Sequence, residues 1–124
     1  MDIDTYFKQT EGTGVLSTAD SSGKVDAAIY ARPHVFEDGT LAFIMRDRLS
    51  YANLRSNPHA AYLFIEDGRG YRGKRLFLTK IREEKNSPLI AELSRRRSAG
   101  DGNATRYLVY FRVDGEAPLV TPGK

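Results

Sequence analysis

Residues 46–58, Arg-Asp-Arg-Leu-Ser-Tyr-Ala-Asn-Leu-Arg-Ser-Asn-Pro, carry the side chains best suited to chemistry, because their types and spacing build an anion site. The apolar run at 41–45 ahead of them predicts a strand, Asp47 is expected to cap a short helix, and Asn57 with Pro58 is expected to stop it. A strand-to-helix junction offers unpaired backbone N–H groups and the positive end of a helix dipole. Arg46, Arg48 and the Ser50 hydroxyl add converging donors to that corner, a set that suits a phosphate. A capped helix with a solvated basic edge has the same composition, so the rest of the chain must decide between the two.

Elsewhere the chemical vocabulary is thin. His34 and His59 are the only histidines, and their spacing matches neither a metal centre nor a catalytic triad. The run at 68–73, Gly-Arg-Gly-Tyr-Arg-Gly, lacks the Lys-Ser/Thr ending of a phosphate-binding loop, and no HExxH or Ser-His-Asp pattern occurs. With no cysteine, disulfides, thiolate metal sites and a cysteine nucleophile are excluded. No metal site is expected, and no residue stands out as a general base. Asn53 is expected to satisfy helix or turn backbone, and Tyr30, an aromatic on a half-buried strand, has core packing as its commoner role.

The elements that must position these groups are mostly strands. A short helix is predicted over residues 4–11, with Asp4 as its cap and Gly12 and Gly14 ending it. Segments 14–19 and 25–31 flank a hairpin loop at 20–24, and segments 32–36 and 41–45 flank the Asp38-Gly39 turn, with Pro33 favouring a strand beginning or an edge. After the short helix come strands at 60–66 and 75–82, joined through the glycine-rich loop. A helix capped by Asn86 or Ser87 with Pro88 at its first position then carries Arg95, Arg96 and Arg97 near its C-terminal end, where cations complement the dipole, and stops at residues 100–102. A last strand at 105–114 is followed by an irregular tail after Gly115. We count six strands in hairpin-like succession, a mainly β fold that suggests a six-stranded antiparallel barrel with short helices at its ends.

Composition bounds the rest. At 124 residues and 13.9 kDa the chain, residues 1–124, is expected to form a single domain with one core. No apolar run approaches the ~20 residues of a membrane span, and the amino terminus lacks a signal-peptide pattern, so a soluble cytoplasmic protein with no membrane contact is expected. The net charge of +3 is unevenly spread: ten of the nineteen Lys and Arg fall within residues 69–97 against three acids, Glu83, Glu84 and Glu92, so that half should attract anions.

The order of elements, with Asn53-Leu-Arg-Ser-Asn-Pro58 leading from a short helix into a buried strand, resembles the FMN-binding split-barrel family typified by pyridoxamine 5′-phosphate oxidase. The resemblance spans roughly residues 14–81 and includes the opening Gly-Val-Leu-Ser-Thr-Ala, Gly23 and the Asp38-Gly39 turn. It implies a split β-barrel and a homodimer with FMN in a groove at the subunit interface. By position it implies that Ile29, Tyr30 and Ala31 pass along the isoalloxazine, and that Ile44 and Met45 end a strand against the flavin or ribityl chain. Arg46, Arg48, Leu49 and Ser50 would surround the phosphate, with Lys74 and Arg75 reaching in from the partner subunit. Where many members carry a Ser/Thr-Arg-Lys run at the helix start, this chain has Arg48-Leu49-Ser50, and it contains no Trp. The resemblance is therefore to the small single-domain flavoproteins, and pyridoxamine phosphate oxidation is not expected. The implied function is a small FMN-dependent oxidoreductase acting on a small-molecule redox substrate. The alternatives are a non-enzymatic module holding a flavin, deazaflavin or haem, and, less favoured, a barrel binding nucleic acid through residues 69–85, with Tyr71 and Phe77 stacking on bases.

Overall fold

A computed structural model describes residues 2–93 and 105–120. Its strands are β1 (Gly12–Ala19), β2 (Val25–Ile29), β3 (His34–Val35), β4 (Leu41–Arg46), β5 (His59–Glu66), β6 (Gly73–Lys85) and β7 (Arg106–Pro118). Helices α1 (Ile3–Gln9), α2 (Leu49–Ser56) and α3 (Leu89–Leu93) complete it. All pairings are antiparallel, in one 7-stranded sheet of order β2-β1-β5-β6-β7-β4-β3.

The sheet coils into a barrel that is joined at its seam by side chains. β2 and β4 lie near opposite edges of the sheet, yet the Tyr30 ring just past β2 packs edge-on against Phe43 of β4, centroids 5.7 Å apart. Phe43 also meets Tyr62 of β5 at 5.0 Å, across the interior. Bending is concentrated in the 13-residue β6, where register shifts at Phe77/Leu78 and Lys80/Arg82 increase the local twist. Period-2 alternation directs Leu16, Phe43, Tyr62, Phe64, Leu76, Leu78 and Phe111 inward. Burying each such side chain contributes about 1.5–3 kcal/mol. β4 and β7 are buried on both faces, because Ile90 of α3 packs with Ala42, Leu108 and Tyr110 on the outside.

The segments assigned from sequence number seven and all seven form strands, so the expected count of six is corrected to seven. Segment 32–36 contributes a separate two-residue strand, His34–Val35, because Pro33 withholds a ladder donor and the chain leaves the sheet between Ile29 and His34. The first helix begins earlier than expected: the cap is Asp2, whose carboxylate accepts from the Thr5 N–H at 2.8 Å, and not Asp4. Gly12 and Gly14 belong to β1, where a Cβ at Gly14 would overlap the Tyr62 hydroxyl. β7 continues to Pro118, paired with Lys74, where an irregular tail was expected after Gly115. Arg95, Arg96, Arg97 and residues 100–102 lie outside the described residues.

Candidate functional site

α2 is held over β1 and β2 by polar bonds beneath and behind it. The Asn53 side-chain amide donates to the Thr18 hydroxyl at 3.0 Å, with both residues buried, so Asn53 ties the helix to a strand and does not serve backbone as expected. The Ser21 N–H donates to the Ser56 hydroxyl at 3.1 Å, and the Asn57 N–H closes the helix on the Asn53 carbonyl. Tyr51 is buried, stacks on Tyr107 at 3.8 Å and donates to the Glu83 carboxylate, which also accepts from Lys80.

The opposite end of α2 is built differently. Asp47, the expected cap, does not serve. Arg48 takes the N-cap position in extended backbone and supplies no side-chain cap bond, so the first-turn N–H groups are left without a side-chain acceptor. The physical reason is a tight backbone step, in which the Arg48 N–H donates to the Arg46 carbonyl at 2.8 Å and advances the helix start by one residue.

Beside this uncapped end stand Ser50, buried, and the Tyr30 hydroxyl. Burial pushes the Tyr30 pKa up and the Ser50 hydroxyl beside it works the other way; Asp26 then raises it and Arg48 lowers it by charge alone. Tyr30 is fixed by its backbone: its N–H donates to the Gly14 carbonyl at 2.9 Å, and its carbonyl accepts from the Tyr62 hydroxyl at 3.0 Å. Burial raises the Tyr62 pKa as well, so that hydroxyl stays protonated and available as a donor.

Tyr30 also lines a groove of about 730 Å³ with Ala31, Arg32, Pro33, His34 and Ile44, bounded on another side by Phe7 and Lys8 of α1. Two guanidinium bonds from Arg32, to the Phe7 carbonyl at 2.9 Å and the Thr10 carbonyl at 2.8 Å, hold α1 against this wall. Sequence reasoning passed over Arg32; a cation beside a helix C-terminus in space, twenty-odd residues away in sequence, has no local signal.

Of the residues singled out from sequence, Tyr30, Arg48 and Ser50 come together at the corner, and Tyr30, Ala31 and Ile44 share the groove. Leu49 is exposed at the helix start and Ile29 is exposed on the outer face of β2. Met45 departs from expectation: its side chain is buried in the barrel core by strand alternation, leaving only its backbone for a ligand. Arg46 alternates to the other face of β4, opposite Arg106 of β7. Lys74 and Arg75 sit at the start of β6, whose opposite end, Lys85, pairs beside the Arg106 end of β7 nearest α2. Lys74 pairs with Glu116 at 3.0 Å and Arg75 donates to the Pro118 carbonyl at 2.9 Å. Among the described residues no group of His, Asp or Glu could hold a metal ion, and no helix is long and apolar enough to cross a membrane.

No protein-family model and no curated protein matches the chain. Solved structures do. An FMN-binding protein from Syntrophomonas wolfei superposes with a TM-score of 0.75 at 15% identity, covering 97% of this chain and 85% of that one. An F420 reductase gives 0.67 at 17% identity, covering 94% and 98%. HutZ, a haem storage protein from Vibrio cholerae, gives 0.69 at 16% identity, covering 95% of each. At such identities the likeness is one of architecture, and it agrees with the strand order and the seam at Tyr30 and Phe43: the chain has the pyridoxamine 5′-phosphate oxidase-like split-barrel fold.

Proposed function

We propose that the chain is a flavin-binding protein, a small cytoplasmic oxidoreductase that holds FMN between two copies of itself. The observation that carries this reading is the corner where Arg48, Ser50 and the Tyr30 hydroxyl meet the uncapped start of α2, joined through Tyr30 to a groove of about 730 Å³. The donor set fits a phosphate: a guanidinium, two hydroxyls and N–H groups with no side-chain acceptor. The groove is of a size and mixed lining that suit a flat ring with a polar edge.

Bound FMN would supply two-electron chemistry at its ring. The chain's own residues bind and orient. Arg48 and the α2 N–H groups hold the phosphate, Ser50 and Tyr30 fix its hydrogen-bonding direction, and Ala31 and Ile44 present apolar wall to the ring. Tyr30 keeps its proton at neutral pH, since burial raises its pKa, and so donates.

A homodimer is supported by the outer face of β2, β1, β5 and β6, where Val25 at 78%, Ile29 at 76% and Phe77 at 43% exposure form part of an apolar sheet face. In such a dimer Lys74 and Arg75 would reach the corner from the partner, as the resemblance implies. A second reading, a haem-holding module, is favoured by one observation, the imidazole of His34 on the groove wall.

The test is titration of the purified protein with FMN, followed by flavin fluorescence, alongside sedimentation. FMN should bind stoichiometrically to a dimer, and Arg48→Ala should weaken binding by at least tenfold, since a charge-assisted phosphate contact is worth about 1.5–3 kcal/mol. Unchanged affinity in Arg48→Ala removes the corner from the reading. Failure to bind FMN together with a Soret band after haem addition, lost in His34→Ala, would replace flavin by haem.

A further inference from the structure

The groove has a second polar feature on its α1 side, away from the start of α2. Arg32 lines the groove and sends Nη1 back to the end of α1, donating to the Phe7 carbonyl at 2.9 Å and to the Thr10 carbonyl at 2.8 Å. These bonds use both Nη1 protons and satisfy carbonyls that a helix end leaves without intrahelical partners. The donors on Nε and Nη2 remain, and among the described residues nothing accepts from them. Capping α1 needs only Nη1, whereas the Nε–Nη2 edge is the one that meets a carboxylate with two parallel N–H···O bonds. Pinning Nη1 also holds the guanidinium in place, so a ligand need not order a loose arginine chain.

The other charged groups of the groove are already matched: Lys8 and Asp4 pair with each other at 3.1 Å. Beside them and the His34 imidazole, the lining includes the apolar side chains of Phe7, Pro33, Val35, Phe43 and Leu93. A volume of about 730 Å³ lies within the range of small-molecule sites, about 300–1,000 Å³. We infer that the groove holds a small organic acid, an apolar body carrying one carboxylate, and that Arg32 receives the carboxylate on its Nε–Nη2 edge. The inference goes beyond the flavin reading and does not need it, since Ala31 and Ile44 are the wall given to the ring and Arg32 is bonded to α1. Within the flavin reading, such an acid is the class of the small-molecule redox substrate.

The experiment titrates 2-naphthoate, its uncharged counterpart 2-naphthamide, and acetate into the full chain by calorimetry, without added flavin. Naphthoate should bind at least tenfold more tightly than naphthamide, because a charge-assisted pair separates them. It should exceed acetate by about thirtyfold or more, since acetate has almost no apolar body to bury. In Arg32→Gln, naphthoate should weaken by at least tenfold while naphthamide changes by less than threefold. Arg32→Lys keeps the charge without the two-pronged edge and should fall between wild type and Arg32→Gln. His34→Ala should keep the preference for naphthoate. Equal binding of naphthoate and naphthamide by wild type overturns the inference, whether or not any variant folds. So does an equal loss of both ligands in Arg32→Gln, which would make Arg32 a brace for α1 alone, or a preference that is lost in His34→Ala and kept in Arg32→Gln. Failure of naphthoate to bind wild type overturns it as well, and leaves the flavin reading to its own titration.

Discussion

The two ends of α2 are made from similar residues and treated in opposite ways. At its body and C-terminal end, polar groups are matched, Asn53 with Thr18 and Ser56 with the Ser21 N–H, and even in the first turn the Tyr51 hydroxyl is taken up by Glu83, which Lys80 also bonds. At its N-terminal end, Arg48 caps nothing, Leu49 is 56% exposed, and the buried Ser50 stands beside the Tyr30 hydroxyl. Matched polar groups fix a helix on a sheet; donors left without acceptors are groups that a ligand can satisfy. Substitutions at the anchored end should therefore cost stability, and those at the open end should cost affinity.

The largest expected effect is on the backbone that fixes Tyr30. Gly14 lies beneath Tyr30, and a Cβ there would overlap the Tyr62 hydroxyl and come within 2.6 Å of the Tyr30 carbonyl oxygen. Gly14→Ala should displace Tyr62 from its bond to Tyr30, costing about 4 kcal/mol through overpacking and a broken buried hydrogen bond. Because Tyr30 shifts with it, FMN affinity should also fall in protein that remains folded at low temperature. Thermal unfolding and titration read the two losses separately, and a destabilised variant with full affinity would show that the corner does not depend on the position of Tyr30.

Next in size is Asn53→Ala, which leaves the Thr18 hydroxyl, 3% exposed, without its donor. The expected loss is about 1–3 kcal/mol, with flavin affinity in the folded protein changed by less than threefold. Circular dichroism melts check the first, fluorescence titration the second. An affinity loss as large as that of Arg48→Ala would mean that the anchored and open ends are one unit.

How much of this was legible in the sequence follows the range of the interactions. Alternation and turn chemistry gave the strands and the Asp38-Gly39 turn, where Gly39 adopts φ 89° and the Phe36 N–H meets the Thr40 carbonyl at 3.0 Å. Asn57 stops α2 as its local chemistry predicts. The errors are of two kinds. Boundaries moved where adjacent candidates competed for one job, Asp2 against Asp4 and Arg48 against Asp47. Long-range partners stayed invisible: Arg32 on the end of α1 and Asn53 on Thr18 are set by contacts between distant segments. Met45 shows the same limit, since alternation gives two faces to a strand, and only the packed barrel says which one is the interior.

The smallest expected effect concerns the remaining anchor. Burial opposes the charge on Glu83, but the Lys80 ammonium and the Tyr51 hydroxyl outweigh it and hold the carboxyl below its ordinary value of 4.5. A depressed native pKa means that the unfolded chain binds the proton more readily, so the stabilisation is present above 4.5 and is lost as pH falls through the native value. Glu83→Gln should lower stability at pH 7 by about 1 kcal/mol, read as a fall of about 3–6 °C in Tm. The gap between the two proteins should then close as the solution is acidified, because wild type loses what the variant never had. FMN affinity at pH 7 should change by less than threefold in the folded variant, since Glu83 bonds Tyr51 and Lys80 and none of the corner residues Tyr30, Arg48 and Ser50. Melting curves whose separation stays constant down to about pH 3 would show that the Tyr51–Glu83–Lys80 contact contributes no charge-dependent anchoring.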